Sequence, residues 1–206
     1  MPLQNRVLPT GEITRQPWRG KLMGNRGILH TAQQELETRR WTHPHWVTCV
    51  LQHKDWHRDV MTPNAYTELF FLDEPSALAA GHRPCALCRR ADYTAFRAAW
   101  AAAHGERSLA QDDKMLHAAR VTSTRQHIRH KAHLSSLPDG SFIWHDGAAH
   151  LVWGTSLLRN DGDRYGSIHQ RPRSGEVDVL TPKPTVAAMK QGYRPALHPS
   201  AQSWLT

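Results

Sequence analysis

The chain has 206 residues, the size of one large domain or of one domain with a smaller second module. Hydrophobic residues make up 39% of it and charged residues 21%, which argues against a disordered chain, and no apolar run is long enough to cross a bilayer. Lys and Arg outnumber Asp and Glu by 26 to 18, and this +8 balance indicates either an acidic partner such as nucleic acid or a basic surface that serves solubility.

The cysteine content and the N-terminus bear on the compartment. Three cysteines are too few for a disulfide scaffold, and an odd number leaves one of them unpaired. The N-terminal stretch lacks the apolar segment of a secretory signal. We therefore expect a cytoplasmic protein, without a membrane partner, whose thiols are free or bound to a metal.

Residues 1–45 are rich in Gly, Pro, Arg and Trp and show no sustained period, so we expect an irregular N-terminal segment at 1–39. Within it, two glycines frame a short turn at 24–30 that carries Asn25, Arg26 and His30. Such a polar turn is either a loop that binds phosphate or substrate, or a purely structural turn. The sequence leaves both interpretations open.

The next region, 40–105, is expected to form a zinc-binding unit. A β-rich run at 46–52 is predicted to turn back into 58–61 as a β-hairpin. Residues 74–81 have the pattern of a short helix that ends at Gly81.

The clearest helix in the sequence covers 91–104. Tyr93, Phe96 and Trp100 fall on one stripe of this segment, and Gly105 is a natural end for it. The apolar stripe indicates that one face of this helix packs against the rest of the protein.

The remaining region, 106–206, is expected to contain a basic helix at 112–134 and then antiparallel strands. Asp-Gly and Pro-Asp-Gly turn signals within 137–153 predict a hairpin or meander. A strand is predicted at 176–180, and a short final helix should end at Gly192. We expect this region to pack on the zinc-binding unit as one compact domain.

A pair of cysteines carries the strongest chemical signal. Cys85 and Cys88 form a C-x2-C pair directly before the 91–104 helix, a spacing that lets two thiolates reach one tetrahedral zinc ion. Cys49, 36 positions before Cys85, is in range as a third ligand, and His53 would complete a Cys3His set. Other histidines near in sequence are alternatives for the fourth position: His43, His45, His57 and His82. A redox pair and two ordinary buried cysteines are the alternatives, although no βαβ pattern precedes the pair.

The stretch SALAAGHRPCALCRRAD, at 76–92, resembles the zinc-binding N-terminal domain of the Ada DNA-repair protein. That family has a small-residue helix, a Gly, Arg-Pro-Cys, two residues and a Cys, with a Cys-x3-Cys pair earlier in the chain. Cys85 and Cys88 match its last two zinc ligands, and Cys49 matches the first member of the earlier pair. His53 stands where the second member would be.

The resemblance covers about 46–92 and implies a zinc-binding domain of the Ada kind. In that family the thiolate that Cys49 matches removes methyl groups from DNA phosphotriesters, so Cys49 is the candidate alkyl acceptor here. In this sequence His45, Lys54 and Arg58 would bring a phosphate close to it. Imidazole in place of thiolate at His53 makes the centre less anionic and its thiolates less nucleophilic. We therefore expect a related zinc domain in which Cys49 is mainly structural.

The same cysteines fit half of the motif of zinc-dependent base deaminases, P-C-x2-C. Those enzymes also need His-x-Glu or Cys-x-Glu upstream, because the glutamate shuttles protons. Here Cys49 is followed two positions on by Leu51, and His53 by Asp55, so the strict pattern is not met. A zinc-dependent hydrolase or deaminase-like enzyme remains an alternative function.

Basic residues flank the C-x2-C pair and fill the predicted basic helix, where no acidic residue occurs between Lys114 and Leu137. Contacts with phosphates supply most of the non-specific affinity of proteins for DNA. We expect the nucleic acid to be contacted by Arg83, Arg89, Arg90, Lys114, Arg120, Arg125, Arg129 and Lys131. A solvated helix face would carry the same charges.

Histidines and tryptophans in the C-terminal half each allow two interpretations. His127, His130 and His133 either hold a second metal through their i, i+3 spacing or lie on the surface. Trp144 and Trp153 either stack on bases or belong to the core.

Together these patterns predict an α+β fold, with an Ada-like, zinc-stapled β-hairpin and helix, a basic helix and a C-terminal antiparallel β region. The expected function is a Zn²⁺-binding, DNA-binding protein related to DNA alkylation repair. The alternatives are the zinc-dependent enzyme and a protein-interaction module in which zinc is purely structural. The sequence does not determine the oligomeric state.

Overall fold

The structure, a computed structural model, describes residues 1–57 and 59–205. Within these residues the chain forms two six-stranded sheets and five α-helices, which confirms the α+β class. Arg58, one of the basic residues considered beside Cys49, lies outside the described residues. No helix in the described ranges is long and apolar enough to cross a membrane.

The first sheet is built from the N-terminal half of the chain. Its strands are β1 (Gln4–Val7), β2 (Ile13–Arg15), β3 (Leu22–Asn25), β4 (Val47–Val50), β5 (Leu69–Phe71) and β6 (Arg83–Pro84). Their spatial order is β2-β1-β5-β3-β4-β6, with β1 parallel to β5 and β4 parallel to β6. The other neighbours are antiparallel, so the sheet is mixed.

The second sheet is the predicted C-terminal antiparallel region. Its strands are β7 (His130–His133), β8 (Phe142–His145), β9 (Ala148–Trp153), β10 (Ser156–Asn160), β11 (Tyr165–Gln170) and β12 (Glu176–Val179). They lie in the order β11-β10-β9-β8-β12-β7. Asp146 and Gly147, with φ of 46° and 73°, turn β8 into β9, as the Asp-Gly signal predicts.

Five helices pack against the strands or against one another. They are α1 (Glu74–Ala79), α2 (Arg90–His104), α3 (Leu109–Arg120), α4 (Lys183–Lys190) and α5 (Pro199–Leu205). The α2 helix has the predicted extent, buries Phe96 and Trp100, and ends at Gly105 with a φ of 77°. Its apolar face packs with α3 and α4 around a cluster that includes Leu116 and Met189.

The α1 helix is short because both of its ends are specified locally. Asp73 caps it by accepting hydrogen bonds from the amide and the hydroxyl of Ser76, and Pro75 occupies its first turn. The chain leaves the helix at Gly81, which has a φ of 86°. A Cβ at Gly81 would lie 2.4 Å from the Arg120 side chain, so only glycine fits between α1 and α3.

The expectation that 1–39 is irregular is wrong. Three of the six strands in the first sheet come from this segment, and β3 lies in the middle of the sheet between β5 and β4. These strands have only three or four residues each, too few for alternation of apolar and polar residues to be visible in the sequence. A boundary between 1–39 and 40–105 therefore does not exist in the fold.

The predicted hairpin between 46–52 and 58–61 is also wrong. The β4 strand pairs with β3 on one side and with β6 on the other, and the described part of 51–61 contains no strand. The residues that β4 pairs with lie 22 to 36 positions away in the chain, as in Asn25↔Val47 and Thr48↔Pro84, and local pattern does not reveal pairing over such a separation.

The predicted basic helix at 112–134 is shorter and begins earlier. The α3 helix starts at a capping box formed by Ser108 and Gln111 and ends at Arg120. Beyond it the Thr122 hydroxyl accepts a hydrogen bond from the amide of Gln126, and Arg125 has a φ of 68°. Backbone-bonding threonines thus form a turn in place of the helix, and the chain continues into β7.

Candidate functional site

The three cysteines come together at the edge of the first sheet. Cys49 lies in β4, and Cys85 follows β6, the parallel neighbour of β4. Cys88 ends the turn that leads into α2. The three Sγ atoms all lie within 4.8 Å of one another, so these residues form a group that can hold a metal ion.

The thiols of this group differ in their tendency to ionise. Burial raises the pKa of Cys49, and the neighbouring Cys85 and Cys88 raise it further. Burial also opposes ionisation of Cys85, but hydrogen bonds from the amides of Cys88 and Leu87 and from the other two thiols lower its pKa overall. Three thiolates this close together repel one another, so they need a cation to balance their charge.

The donor set and its spacing fit zinc. In a tetrahedral site with Zn–S bonds of about 2.3 Å, two sulfurs lie about 3.8 Å apart. The Sγ separations in this group are at most 4.8 Å, so zinc requires a contraction of about 1 Å or less. Three sulfur ligands are typical of structural zinc sites and of soft metals, and they disfavour magnesium or calcium.

His53, the predicted fourth ligand, lies outside the group of three sulfurs. Its ring packs against Trp56 with the centroids 5.7 Å apart. Its Nε2 atom is buried and has no hydrogen-bond partner among the described residues. A buried nitrogen without a partner costs free energy. The Nε2 atom of His53, on the segment that follows β4, is therefore available to bind a metal ion.

Three of the eight arginines and lysines expected to contact DNA are buried, which contradicts a role on an open surface. Arg83 forms two hydrogen bonds to Asp113, of 2.7 and 2.8 Å. Arg89 pairs with Glu74 at 2.7 Å and with Asp92 at 2.8 Å.

Arg120 is the third buried cation. It is fully buried, donates to the backbone oxygens of Gly81 and Pro44, and contacts the ring of Trp46. These contacts hold α1, α3 and the segment before β4 together. The role of the buried arginines in this structure is thus packing and charge pairing within the protein.

The other five predicted residues are exposed but do not form one ridge, because α3 ends at Arg120. Lys131 pairs with Asp178 across β7 and β12 at 3.0 Å. Arg125 and Arg129 lie on the segment between α3 and β7, and both line the same cavity. The remaining two, Arg90 and Lys114, lie on α2 and α3.

This cavity has a volume of about 540 Å³ and lies between the β1–β2 hairpin, the segment before β4 and the segment after α3. Four arginines and three tryptophans line it: Arg26, Arg40, Arg125, Arg129, Trp41, Trp46 and Trp144. Sequence reasoning singled out Arg26, Arg125, Arg129 and Trp144 for separate reasons. It missed Arg40 and Trp41, for which the sequence holds no signal beyond the abundance of Arg and Trp.

The three histidines considered for a second metal, and Trp153, lie in the hydrogen-bonded or packed parts of the fold. His127 shares a hydrogen bond of 2.9 Å with the Ala79 oxygen, and His130 and His133 lie on β7. Among the described residues, only the cysteine group has the geometry of a metal site, so the second metal is not supported. Trp153 packs on the core of the second sheet.

Comparisons of the chain with protein-family models, with curated proteins and with solved structures find no match.

Proposed function

We propose that this chain is a zinc protein that binds nucleic acid, with DNA as the first candidate. The ion is held by Cys49, Cys85 and Cys88, and His53 closes the site as the fourth ligand. The zinc domain is of the Ada kind, because the three clustered thiols occupy the positions that the resemblance assigns to ligands. When bound, the ion neutralises the thiolates and joins β4 to the turn before α2.

The observation that carries nucleic-acid binding is the arginine- and tryptophan-lined cavity. Arg125 and Arg129 are exposed at its rim, and no acidic side chain among the described residues forms an ion pair with them. Guanidinium groups bind phosphates in a bidentate manner, and indole rings stack on bases. A cleft that presents both groups has the chemistry that nucleic acid requires.

Metal analysis of the purified, unchelated protein tests the zinc site. We expect about one zinc per chain, and we expect Cys85→Ser to lose it and to unfold more readily. The exposed Ser135 lies outside the cysteine group, so Ser135→Ala serves as the control. Stoichiometric absence of zinc from the unaltered protein would refute the site.

Salt dependence tests the nucleic-acid interface. Each phosphate contact contributes a slope of about 0.9 log units of affinity per log unit of salt. The double variant Arg125→Glu, Arg129→Glu should weaken binding to any DNA sequence and flatten this slope, whereas Lys131→Glu, whose lysine is already paired with Asp178, should do less. Absence of binding at low salt would instead favour a protein-interaction module or an enzyme acting on a small molecule.

A further inference from the structure

The guanidinium of Arg26 is buried at the cavity and incompletely satisfied. Only 3% of Arg26 is exposed. Its two hydrogen bonds are long, 3.5 Å from Nε to His82 and 3.4 Å from Nη1 to the Gly11 oxygen. Its Nη2 has no partner among the described residues, although Arg26 lines the cavity.

Within the described residues Arg26 forms no ion pair, although Glu12 also lines the cavity. The guanidinium carbon of Arg26 lies 4.1 Å from the centroid of the Trp46 ring. Burial, with a smaller contribution from the charge of Arg40, lowers the pKa of Arg26 to about 9. Arg120 contacts the same indole at 3.7 Å and adds positive charge. A buried cation with a free donor in a cavity calls for an anion that comes from outside.

The walls of the cavity offer flat apolar surfaces beside this donor. Trp41 is half-buried and lies 5.9 Å from Trp46, centroid to centroid. Trp144 is half-buried too, and the Arg129 guanidinium lies 4.7 Å from its ring centroid. These rings can stack on a planar ligand, and a guanidinium over an indole is a second stacking surface.

Polar groups at the same cavity suit the edge of such a ligand. His127 has its Nε2 bonded to the Ala79 oxygen, which can only accept, so Nε2 carries the proton. Burial lowers the pKa of His127 to about 4, so its ring is neutral and its Nδ1, buried and unpartnered, is a free acceptor. Gln4 and Gln126 also line the cavity, and their amides both donate and accept.

The position of Gly11 indicates that this wall is closely fitted. Gly11 has a φ of 82°, and a Cβ there would lie 2.7 Å from the His127 ring. The β1–β2 turn therefore approaches His127 as nearly as a glycine allows.

We propose that the cavity binds one nucleotide unit, with the phosphate on the Arg26 guanidinium and the base stacked on Trp41 or Trp144. This inference rests on the proposed nucleic-acid function and names the part of the ligand that enters the protein. A volume of about 540 Å³ lies within the range of small-molecule sites, about 300 to 1,000 Å³. A bare anion would leave the rings unused, and an uncharged aromatic ligand would leave Arg26 unpaired.

The unit can be a free nucleotide or a nucleotide turned out of a strand, and both share this chemistry. Calorimetry on the zinc-loaded full chain distinguishes them with four probes: deoxynucleoside 5′-monophosphates, the matching nucleosides, inorganic phosphate, and duplexes with and without one unpaired base. We expect monophosphates to bind at least about tenfold more tightly than nucleosides or inorganic phosphate, since both the phosphate and the base contribute to binding. Tighter binding of the unpaired-base duplex than of the monophosphate would identify the strand as the source.

Three variants locate the site. Arg26→Gln and Trp144→Leu should each weaken binding of the monophosphate about tenfold or more. Because Arg26 is buried, its substitution also tests the stability of the fold. Arg129→Gln therefore serves as a second variant, which removes a positive charge at an exposed position of the same cavity. Matched controls outside the cavity are Arg173→Gln and Trp204→Leu, which should leave affinity unchanged.

Equal binding of inorganic phosphate and monophosphate would overturn the proposal, as would a monophosphate affinity that none of Trp41→Leu, Trp144→Leu and Arg129→Gln alters. The failures of the two proposals are separable. Salt-dependent DNA binding that requires Arg125, without any monophosphate binding, refutes the nucleotide site alone. Monophosphate binding without any affinity for DNA refutes the nucleic-acid function and leaves the nucleotide site.

Discussion

At the scale of single residues, the buried arginines Arg83 and Arg26 lie in two different environments. Arg83 is buried against Asp113 and is satisfied by it, whereas Arg26 is buried without an acid beside it. A buried ion pair contributes little net stability, but an unpaired buried charge is costly. The charge of Arg83 is therefore compensated within the fold, and the uncompensated charge of Arg26 is the basis of the ligand site proposed above.

Asp113 should be essential for stability. Its side chain is 1% exposed, accepts two hydrogen bonds from Arg83 and accepts a third from His45 at 2.8 Å. Asp113→Asn leaves Arg83 buried without its countercharge, so we expect a loss of about 3 kcal/mol in urea unfolding. Asp146→Asn, at a turn position whose side chain is 85% exposed, is the control and should change stability little.

Low pH should weaken the ion pair between Asp113 and Arg83. Burial opposes ionisation of Asp113, but the hydrogen bonds and charge of Arg83, with those of His45, outweigh burial and lower its pKa. A lowered carboxylate pKa stabilises the folded state above the unfolded pKa of about 3.9 and loses that contribution as pH falls through the folded value. A stability loss for Asp113→Asn that is as large at pH 2 as at pH 7 would contradict this ion pair.

His53 should contribute to metal affinity although it lies outside the sulfur group. Its unpartnered Nε2 gains a partner when it ligates zinc. We expect His53→Ala to weaken zinc binding at least about tenfold. Loss of a residue that only hydrogen-bonds to a metal ligand already has an effect of that size. Competition with a chromophoric chelator measures this, and the exposed His57→Ala is the matched control. Equal affinity in both variants would assign the fourth position to water or another group.

Cys49 should not accept methyl groups from DNA. Cys49 is half-buried in β4, and a ligand set with imidazole is less anionic, so its thiolates are less nucleophilic, than one with four thiolates. Incubation with methylphosphotriester DNA followed by peptide mass spectrometry should find Cys49 unmodified, with a small electrophile such as methyl iodide as the positive control. A methyl group on Cys49 that depends on the modified DNA would make this a self-inactivating repair protein.

At the scale of elements, the metal group joins parts of the chain that hydrogen bonds hold only weakly. The β6 strand has two residues and pairs with β4 through Val47↔Arg83 and Thr48↔Pro84. An ion held by Cys49 and Cys85 would fasten this short pairing, and Cys88 would extend the attachment to the start of α2. The proposed metal site would thus replace the ladder that a longer strand supplies.

Removal of the metal should loosen this corner before the rest of the molecule. After chelation, we expect faster hydrogen exchange in β4, β6 and the first turn of α2. The β9 and β10 strands, paired through four residues each and buried in the second sheet, should keep their protection and serve as the internal control. Uniform acceleration across both sheets would mean that the cysteines support the whole fold cooperatively.

At the scale of the whole molecule, buried polar groups join the two halves of the chain. Asp73, which caps α1, accepts a hydrogen bond of 2.8 Å from Tyr165 on β11. Glu74 accepts one of 2.5 Å from Tyr193, which follows α4, and pairs with Arg89. Since these side chains are all buried, the relative position of the two sheets is specified by bonds that cannot be exchanged for water without loss.

Moderate acid should weaken the association of the halves through His127, whose Nε2 bonds to the Ala79 oxygen. Burial lowers the pKa of His127 to about 4 from an ordinary value of 6.5. A lowered histidine pKa means that the unfolded chain binds the proton first, so stability falls as pH drops below 6.5. The shift predicts a loss of about 2 kcal/mol between pH 7 and pH 5.

Urea midpoints at the two pH values measure this loss. In His127→Gln, which does not titrate, the decline between pH 7 and pH 5 should be smaller by that amount. Protonation of the thiolates acts equally on both proteins and cancels in the comparison. An identical decline in both proteins would mean that His127 takes no part in the acid sensitivity.

The sequence by itself determined the features that depend on neighbours along the chain. The apolar stripe of α2, the glycines that end α1 and α2, and the Asp-Gly turn between β8 and β9 are local, and all were predicted. The C-x2-C pair and its spacing from Cys49 predicted a metal-binding group, because two thiols three positions apart on one turn already lie close together.

Only the tertiary structure decided which distant segments meet. Three or four residues per strand are too few to show periodicity, so the strands of 1–39 and their insertion into the first sheet were missed. The turn at Arg125 replaced a helix because side-chain bonds to the backbone competed with it. The cavity combines Arg26, Trp41 and Trp144 from three separate regions, and its unpaired charge is a property of their packing that no local pattern contains.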